Sequence, residues 1–118
     1  MKTIRFYFDP ISPYAALAFW RLPEVLAGRS YAVDYLPILF GALLKANASK
    51  GPAEIPAKRD WTYRQVLWLA RQQGVDLRLP AAHPFNPLAL LRLAWACAPD
   101  GLTPSRWVVE RLFDHVWR

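Results

Sequence analysis

Ser12 lies where the first predicted strand gives way to the first predicted helix, within the segment Asp9-Pro10-Ile11-Ser12-Pro13-Tyr14. The first backbone N–H groups of a helix have no partners within the helix, and the positive end of its dipole lies among them. An anion is favoured there, and a serine hydroxyl can donate a hydrogen bond to it. The alternative is that Ser12 only caps the helix, because serine is a preferred N-cap and Pro13 suits the first helical position.

Other side chains offer less chemistry. The single cysteine, Cys97, lies in the apolar stretch 91–97, so we expect a small buried residue and not a reactive thiol. One cysteine cannot form an internal disulfide or a Cys-x-x-Cys redox pair. The two histidines, His83 and His115, are far from Cys97 in sequence, so no metal-ligand spacing is present and we expect no metal site.

The composition is that of a folded domain with a cationic surface. The chain has 118 residues, 54% of them hydrophobic, which excludes a disordered tail. The net charge is +6, but the arginines are scattered along the predicted helices and form no basic run. We therefore expect a solvated positive surface that attracts carboxylate-bearing ligands, and no nucleic-acid partner.

Nothing in the sequence has the pattern of a membrane or export segment. The first residues enter a strand without the apolar stretch of a signal peptide, and no apolar run approaches the length of a membrane span. The sparse cysteine usage fits a reducing compartment. The expectation is a cytoplasmic protein with no membrane partner.

The hydrophobic pattern predicts a parallel strand–helix–strand unit followed by helices. The predicted strands are 4–8 and 31–36, and the predicted helices are 13–27, 38–46, 57–73, 87–98 and 105–117. Apolar spacing predicts that the first helix buries Tyr14, Leu17, Ala18 and Leu22, and that the last buries Val108, Leu112, Phe113 and Val116. Thr103 is the predicted cap of the last helix, and the six tryptophans are predicted to be mostly core or interface anchors.

The ordered series of motifs resembles one family. The segments that carry the resemblance are Phe6-Tyr7-Phe8-Asp9-Pro10-Ile11-Ser12-Pro13-Tyr14, Lys45, Gly51-Pro52, Pro56-Ala57-Lys58-Arg59, Tyr63, Gly74 and His83-Pro84-Phe85-Asn86-Pro87. Together they resemble the 2-hydroxychromene-2-carboxylate isomerases, which are related to the kappa-class glutathione transferases in the DsbA-like branch of the thioredoxin superfamily. The resemblance covers nearly the whole chain.

That resemblance implies an α/β fold with two parts. A partial thioredoxin-like βαβ unit, 1–37, would be followed by a mostly helical insertion domain, 38–118. The C-terminal half of the thioredoxin fold, which carries the cis-proline loop that pairs with glutathione, would be missing here. Neither Pro80 nor Pro84 stands in the matching context. Two parallel strands make a poor sheet by themselves, so we expect a homodimer or complementation by another chain.

The resemblance also implies a function and site residues. It makes Ser12 the catalytic serine, which contacts the sulfur of the cofactor glutathione during cis–trans isomerisation of an aromatic keto-acid. Lys45 and His83 match positions near the aromatic carboxylate substrate. The family commonly has Gly-Asn before the proline that aligns with Pro52. Here Ala48-Ser49 stands there, so Asn47 and Ser49 are the candidates for holding glutathione.

Two other functions stay open from the residues. A kappa-like transferase would use the same thiolate and keep the adduct. A catalytically inert helical module would serve only as an assembly surface, and excess glutathione would then leave its melting temperature unchanged. For single residues, Lys45 could simply be solvated, His83 could be a loop residue bonded to backbone, and Asn86 is expected to cap the helix after it.

Overall fold

The computed structural model describes all residues, 1–118, and consists of two parallel strands and five α-helices. The elements are β1 (Lys2–Phe8), α1 (Pro13–Val25), β2 (Tyr31–Pro37), α2 (Phe40–Ala46), a 3-10 turn (Pro52–Glu54), α3 (Pro56–Gln72), α4 (Leu88–Ala96) and α5 (Arg106–Trp117). Each end of the strands and α-helices lies within two residues of its predicted position, whereas the 3-10 turn is not predicted from the sequence. The predicted parallel strand–helix–strand unit followed by helices is confirmed.

The sheet is covered on one face only. The strands pair in parallel with Lys2 opposite Tyr31 and Phe8 opposite Pro37. Along β1, Phe8 is buried and Phe6 is half-buried, whereas Arg5 and Tyr7 on the opposite face are exposed. This alternation is the one expected of a strand with a single packed face.

One hydrophobic core joins the strands to the later helices. Phe113 of α5 packs on Phe8 of β1 and on Phe19 of α1, with ring centroids 5.3 and 5.2 Å apart. Trp117 is also fully buried in this cluster, together with Val66 of α3. The core therefore has members on both sides of position 37, and the division into 1–37 and 38–118 stays a prediction.

Several predictions of burial are wrong. Cys97 is exposed, because α4 turns Leu91 and Ala94 inward and leaves the residue after its last turn in solvent. Four of the six tryptophans, Trp61, Trp68, Trp95 and Trp107, each have more than 40% of their surface accessible, so they are not core residues, and their role as interface anchors stays a prediction. No helix or strand packs against these side chains in the folded chain. The spacing of apolar residues along one helix cannot predict whether another element covers them.

The buried faces of the first and last helices match the predicted ones only in part: Leu17, Leu112 and Phe113 are buried as predicted, and other positions differ. On α1, Ala16 and Phe19 are buried, whereas Tyr14 and Ala18 are exposed. On α5, Val109 and Trp117 are buried in place of Val108 and Val116. In both helices the face turned to the core includes the aromatic ring that packs on the sheet.

The helix boundaries follow capping chemistry. Ser105, and not Thr103, caps α5, since its hydroxyl accepts a hydrogen bond from the N–H of Val108 at 3.3 Å. At the start of α4 the N-cap position is held by Pro87 and not by Asn86 as expected, although the Asn86 side-chain oxygen accepts from the N–H of Leu88 at 3.1 Å. Gly74 ends α3 with a φ of +67°, in the left-handed region that favours glycine. None of the helices combines the length and apolar character needed to cross a lipid bilayer.

Arg106 compensates for a proline inside α1. Pro23 has no N–H, so the carbonyl of Phe19, four residues earlier, lacks its helical donor. The Arg106 guanidinium donates to that carbonyl at 3.5 Å and to the Tyr35 hydroxyl at 3.0 Å. It also lies 4.2 Å from the centroid of the Phe19 ring, a cation–π contact. One side chain of α5 thereby ties α1 to β2.

Replacing Arg106 with Met is expected to lower the free energy of unfolding by about 1–3 kcal/mol, because both charge-assisted hydrogen bonds and the cation–π contact are lost. Chemical denaturation measures this, with exposed Arg21→Met as the matched control. The loss should shrink in a Pro23→Ala background, since residue 23 can then donate to the Phe19 carbonyl. An equal loss in both backgrounds would contradict the assigned role of the guanidinium.

Candidate functional site

The turn between β1 and α1 is held by hydrogen bonds from within and from distant elements. Within it, the N–H of Ile11 donates to Asp9 Oδ1 at 3.0 Å and the N–H of Ser12 donates to the Asp9 carbonyl at 3.0 Å. From outside, Trp117 Nε1 donates to the Pro10 carbonyl at 2.7 Å. His83 Nε2 lies 2.7 Å from the Ile11 carbonyl. Four successive residues are therefore fixed on the way into α1.

Ser12 caps α1 and keeps its own proton available. Its Oγ accepts a hydrogen bond from the N–H of Ala15 at 3.2 Å, which confirms the cap predicted from the sequence. A hydroxyl that accepts in this way still has one O–H to donate. Because Ser12 lines the neighbouring cavity, this O–H can serve an anion placed at the start of the helix. Capping and anion binding are thus compatible roles for one side chain.

Asp9 links the same turn to α2. The residue is 3% exposed, and its Oδ2 accepts from the N–H of Phe40, the first residue of α2, at 2.9 Å. Burial raises the pKa of Asp9 above its ordinary value, and the two backbone N–H donors, Ile11 and Phe40, partly counter that rise. The carboxylate therefore anchors α2, which carries Lys45, beside Ser12.

A cavity of about 590 Å³ opens beside this turn. Its volume falls within the range of roughly 300–1,000 Å³ that is usual for small-molecule sites. The candidate residues that line it are Ser12, Lys45, Ser49 and His83, and it also contains Lys50. Four of the five site residues predicted from the sequence are thereby brought together.

Asn47 is the predicted site residue that does not line the cavity. It is the residue that ends α2, and its side-chain Nδ2 donates to the carbonyl of Leu43 at 2.8 Å. The amide is therefore engaged in closing its own helix. Its proposed contact with glutathione remains a prediction, whereas Ser49, two residues later, does reach the cavity.

The cavity has two cations without carboxylate partners. Lys45 and Lys50 are exposed, and none of the ion pairs in the protein includes either of them. The nearby carboxylate of Glu54 accepts from the N–H of Gly51 at 2.8 Å. The carboxylates in the lining, Asp9 and Glu54, accept from backbone N–H groups, so the two ammonium groups are the charges left free to meet an anionic ligand near the helix N-terminus.

Sequence reasoning missed three contributors to the site. Lys50 is absent from the predicted site residues, although its position five residues after Lys45 and directly before Gly51-Pro52 is a usable signal. Trp117 reaches Pro10 across 107 positions, and nothing in its local sequence announces that contact. Tyr63 belongs to the motif series without a predicted role in the site, and its hydroxyl lies 2.6 Å from His83 Nδ1. His83 is hydrogen-bonded to backbone and also lines the cavity. It is therefore both a loop residue bonded to backbone and a residue of the candidate pocket, the two alternatives given from the sequence.

A family model described as a DSBA-like thioredoxin domain matches residues 3–118. Among solved structures, that of a 2-hydroxychromene-2-carboxylate isomerase superimposes with a TM-score of 0.79 at 21% identity, covering 98% of this chain and 56% of the other. At that identity the superposition speaks for the fold alone.

Curated relatives point in the same direction. The 2-hydroxychromene-2-carboxylate isomerase of Sphingobium xenophagum is 27% identical over 122 residues, which is 98% of this chain and 58% of the relative. Glutathione S-transferase kappa 2 of Caenorhabditis elegans is 28% identical over 80 residues, 67% of this chain and 36% of the relative. Glutathione S-transferase kappa 1 of the same organism is 36% identical over 59 residues, 49% of this chain and 26% of the relative. The chain thus spans little more than half the length of the isomerase and less of the transferases.

The raised pKa of Asp9 predicts a pH dependence of stability. The folded protein holds this proton more tightly than the unfolded chain does, so the contribution of Asp9 to stability is greatest below the ordinary aspartate pKa of about 3.9 and falls as pH rises through the raised value. Asp9→Asn removes the titrating group. The free energy of unfolding of the wild type, minus that of Asp9→Asn, should therefore decrease as pH rises through this window. Urea titrations across acidic pH measure it, and a difference that increases with pH would disprove the assignment.

Proposed function

The chain belongs to the family of DSBA-like thioredoxin domains, and from that premise we propose that it is a glutathione-dependent isomerase of conjugated aromatic keto-acids. The observation that supports this best is Ser12, whose hydroxyl caps α1, keeps a free O–H and lines a cavity with two unpaired lysines. The name of the Sphingobium relative supplies the substrate class, 2-hydroxychromene-2-carboxylate, which carries the carboxylate that those lysines can bind.

The residues present fit the sulfur end of glutathione. A cavity of about 590 Å³ has room for a ligand, and Ser12 offers an O–H donor at the helix terminus where negative charge is favoured. Ser12 would hold the sulfur, and Ser49 would contact the peptide. When bound, glutathione supplies a thiolate that adds reversibly to the conjugated double bond, which permits rotation before the thiolate leaves.

The magnitude of the Ser12 effect suffices for this role. A hydrogen bond to a charged group is worth roughly 1.5–3 kcal/mol, and one pKa unit corresponds to about 1.36 kcal/mol. Ser12 together with the helix dipole can therefore lower the pKa of a bound thiol by about one to two units, from a reference near 8.5 towards neutrality. The thiolate is the nucleophilic form, so its population at neutral pH rises accordingly.

Lys45 and Lys50 have a separate task in this proposal. Their ammonium groups would pair with the substrate carboxylate and hold the conjugated system near the sulfur. Such positioning raises the rate by fixing the reacting atoms in one arrangement. Since both lysines are exposed in the free protein, the interaction is expected to weaken as salt concentration rises.

A second candidate, a kappa-like glutathione transferase, is favoured by the two Caenorhabditis relatives. The two reactions differ in the fate of the thiol, since isomerisation regenerates glutathione and transfer consumes it. Measuring free thiol during turnover with a chlorinated aromatic acceptor separates them. If the free thiol concentration stays constant while the keto-acid isomerises, the first function is supported. If free thiol is lost in proportion to the acceptor converted, the second is supported.

Ser12→Ala is expected to lower the rate of isomerisation at neutral pH by about 10- to 100-fold, because the hydrogen bond that stabilises the thiolate is lost. The deficit should narrow as pH rises past about 8.5, where the thiol ionises without help. Spectrophotometric conversion of 2-hydroxychromene-2-carboxylate with and without glutathione measures both effects. Ser30→Ala, at an exposed position before β2, is the matched control. Equal rates for wild type and Ser12→Ala would remove Ser12 from the mechanism.

We also propose that the chain associates with a second copy or a complementary chain. The two-stranded sheet has one face uncovered, and Tyr7 on that face is 57% exposed. Parallel sheets are normally covered on both faces, so an additional layer would remove apolar surface from water.

Sedimentation equilibrium at several protein and salt concentrations tests this association. We expect a dimer or larger species that persists at high salt, because apolar burial is not screened by ions. Tyr7→Arg should shift the equilibrium towards monomer, whereas Thr3→Ser should not. A salt-independent monomer with a cooperative thermal melt would contradict the proposal.

A further inference from the structure

Both ring nitrogens of His83 are engaged by the protein. Nε2 lies 2.7 Å from the Ile11 carbonyl, and Nδ1 lies 2.6 Å from the Tyr63 hydroxyl oxygen. A carbonyl oxygen can only accept, so Nε2 must carry the hydrogen. In the neutral ring, Nδ1 then accepts from the Tyr63 hydroxyl. The tautomer is thereby fixed by the partners.

The bond to Ile11 survives protonation of the ring. If Nδ1 also carries a hydrogen, it donates to the Tyr63 oxygen, and the tyrosine O–H turns to the carbonyl of His83, 3.1 Å away. Every donor has an acceptor in both states. No nitrogen is left over in either state for a ligand in the cavity.

The ring is also held by its neighbours. It packs edge-to-face against Tyr63, Phe85 and Trp117, with centroids 5.5, 6.1 and 5.3 Å away. Trp117 in turn donates to the Pro10 carbonyl, one residue before the carbonyl that His83 binds. Two contacting aromatic side chains thus hold two successive carbonyls of the turn before Ser12.

We infer that His83 is a positioning residue, which fixes the Ile11–Ser12 peptide and so the direction of the Ser12 hydroxyl. It lines the cavity through its ring surface and does not bind the substrate carboxylate through its nitrogens. The inference rests on the proposed function only in taking Ser12 as the residue that acts on the glutathione sulfur. Tyr63 supports this role, because its hydroxyl engages Nδ1 and its ring packs on the imidazole, while the Ile11 carbonyl sets Nε2 as the donor.

The kinetic test compares two replacements of similar size. In His83→Gln the side-chain amide nitrogen can take the place of Nε2 and donate to the Ile11 carbonyl, whereas His83→Leu has no donor. His83→Leu is expected to lower kcat on the order of 10- to 100-fold, with KM for 2-hydroxychromene-2-carboxylate changed by no more than about twofold, and His83→Gln should recover most of kcat. A raised KM with unchanged kcat, or no recovery in His83→Gln, would overturn the inference.

A spectroscopic test needs no activity. The chain has only two histidines, and exposed His115 provides the reference ring. Long-range ¹H–¹⁵N spectra, assigned with His115→Gln, should show His83 as the single Nε2–H tautomer and His115 as an exchanging mixture. Tyr63→Phe should shift the Nδ1 resonance of His83 and leave Nε2 protonated. A tautomer mixture at His83 in the wild type would overturn the inference. Inactivity of the wild type with an intact His83 signature would refute the proposed function and leave the positioning role standing.

Discussion

The backbone of the turn from Asp9 to Ser12 is hydrogen-bonded almost to completion, and the rest of the structure depends on that. The Asp9 carbonyl, the Pro10 carbonyl and both polar backbone groups of Ile11 all have protein partners. A turn of this kind would otherwise satisfy its polar groups with water and sample several conformations. Here the direction of the serine at its end is set by partners within the turn itself, on α5 and in the loop before α4. A side chain that must meet a developing or bound charge gains most when it is held in place beforehand.

These partners explain how the later helices and loops influence the site, although Ser12 itself lies between the first strand and the first helix. The donor to Pro10 comes from the end of α5, and the donor to Ile11 comes from the loop before α4. The same Trp117 is buried in the core with Phe8 and Phe113. Packing energy and site geometry are therefore coupled: a change that loosens α5 in the core also releases the turn. Arg106 reinforces this coupling from the other end of α5 by replacing the donor that Pro23 cannot supply.

The charges of the cleft are divided between anchoring and binding. The acidic groups are committed to backbone N–H donors, Asp9 to Ile11 and Phe40 and Glu54 to Gly51. The raised pKa of Asp9 shows that burial outweighs those donors, so its charge is held there at a cost to stability. The lysines, by contrast, have no partners within the protein. What remains free to meet a ligand is positive charge together with one serine O–H, which suits an anionic substrate and a sulfur that must ionise.

The sequence by itself determined the order and bounds of the elements, the parallel pairing of the strands and the position of Ser12 as a cap, because all of these follow from local periodicity, proline placement and capping chemistry. The motif series also indicated the family, and it brought forward Lys45, Ser49 and His83. Only the tertiary structure decided which faces the helices bury. Tyr14 is exposed and Val109 is buried because of the elements that they do or do not face, and their own apolar character does not distinguish the two cases. It alone revealed Trp117 on Pro10, Tyr63 on His83 and the exposure of Cys97, because contacts between residues up to 107 positions apart leave no trace in local spacing.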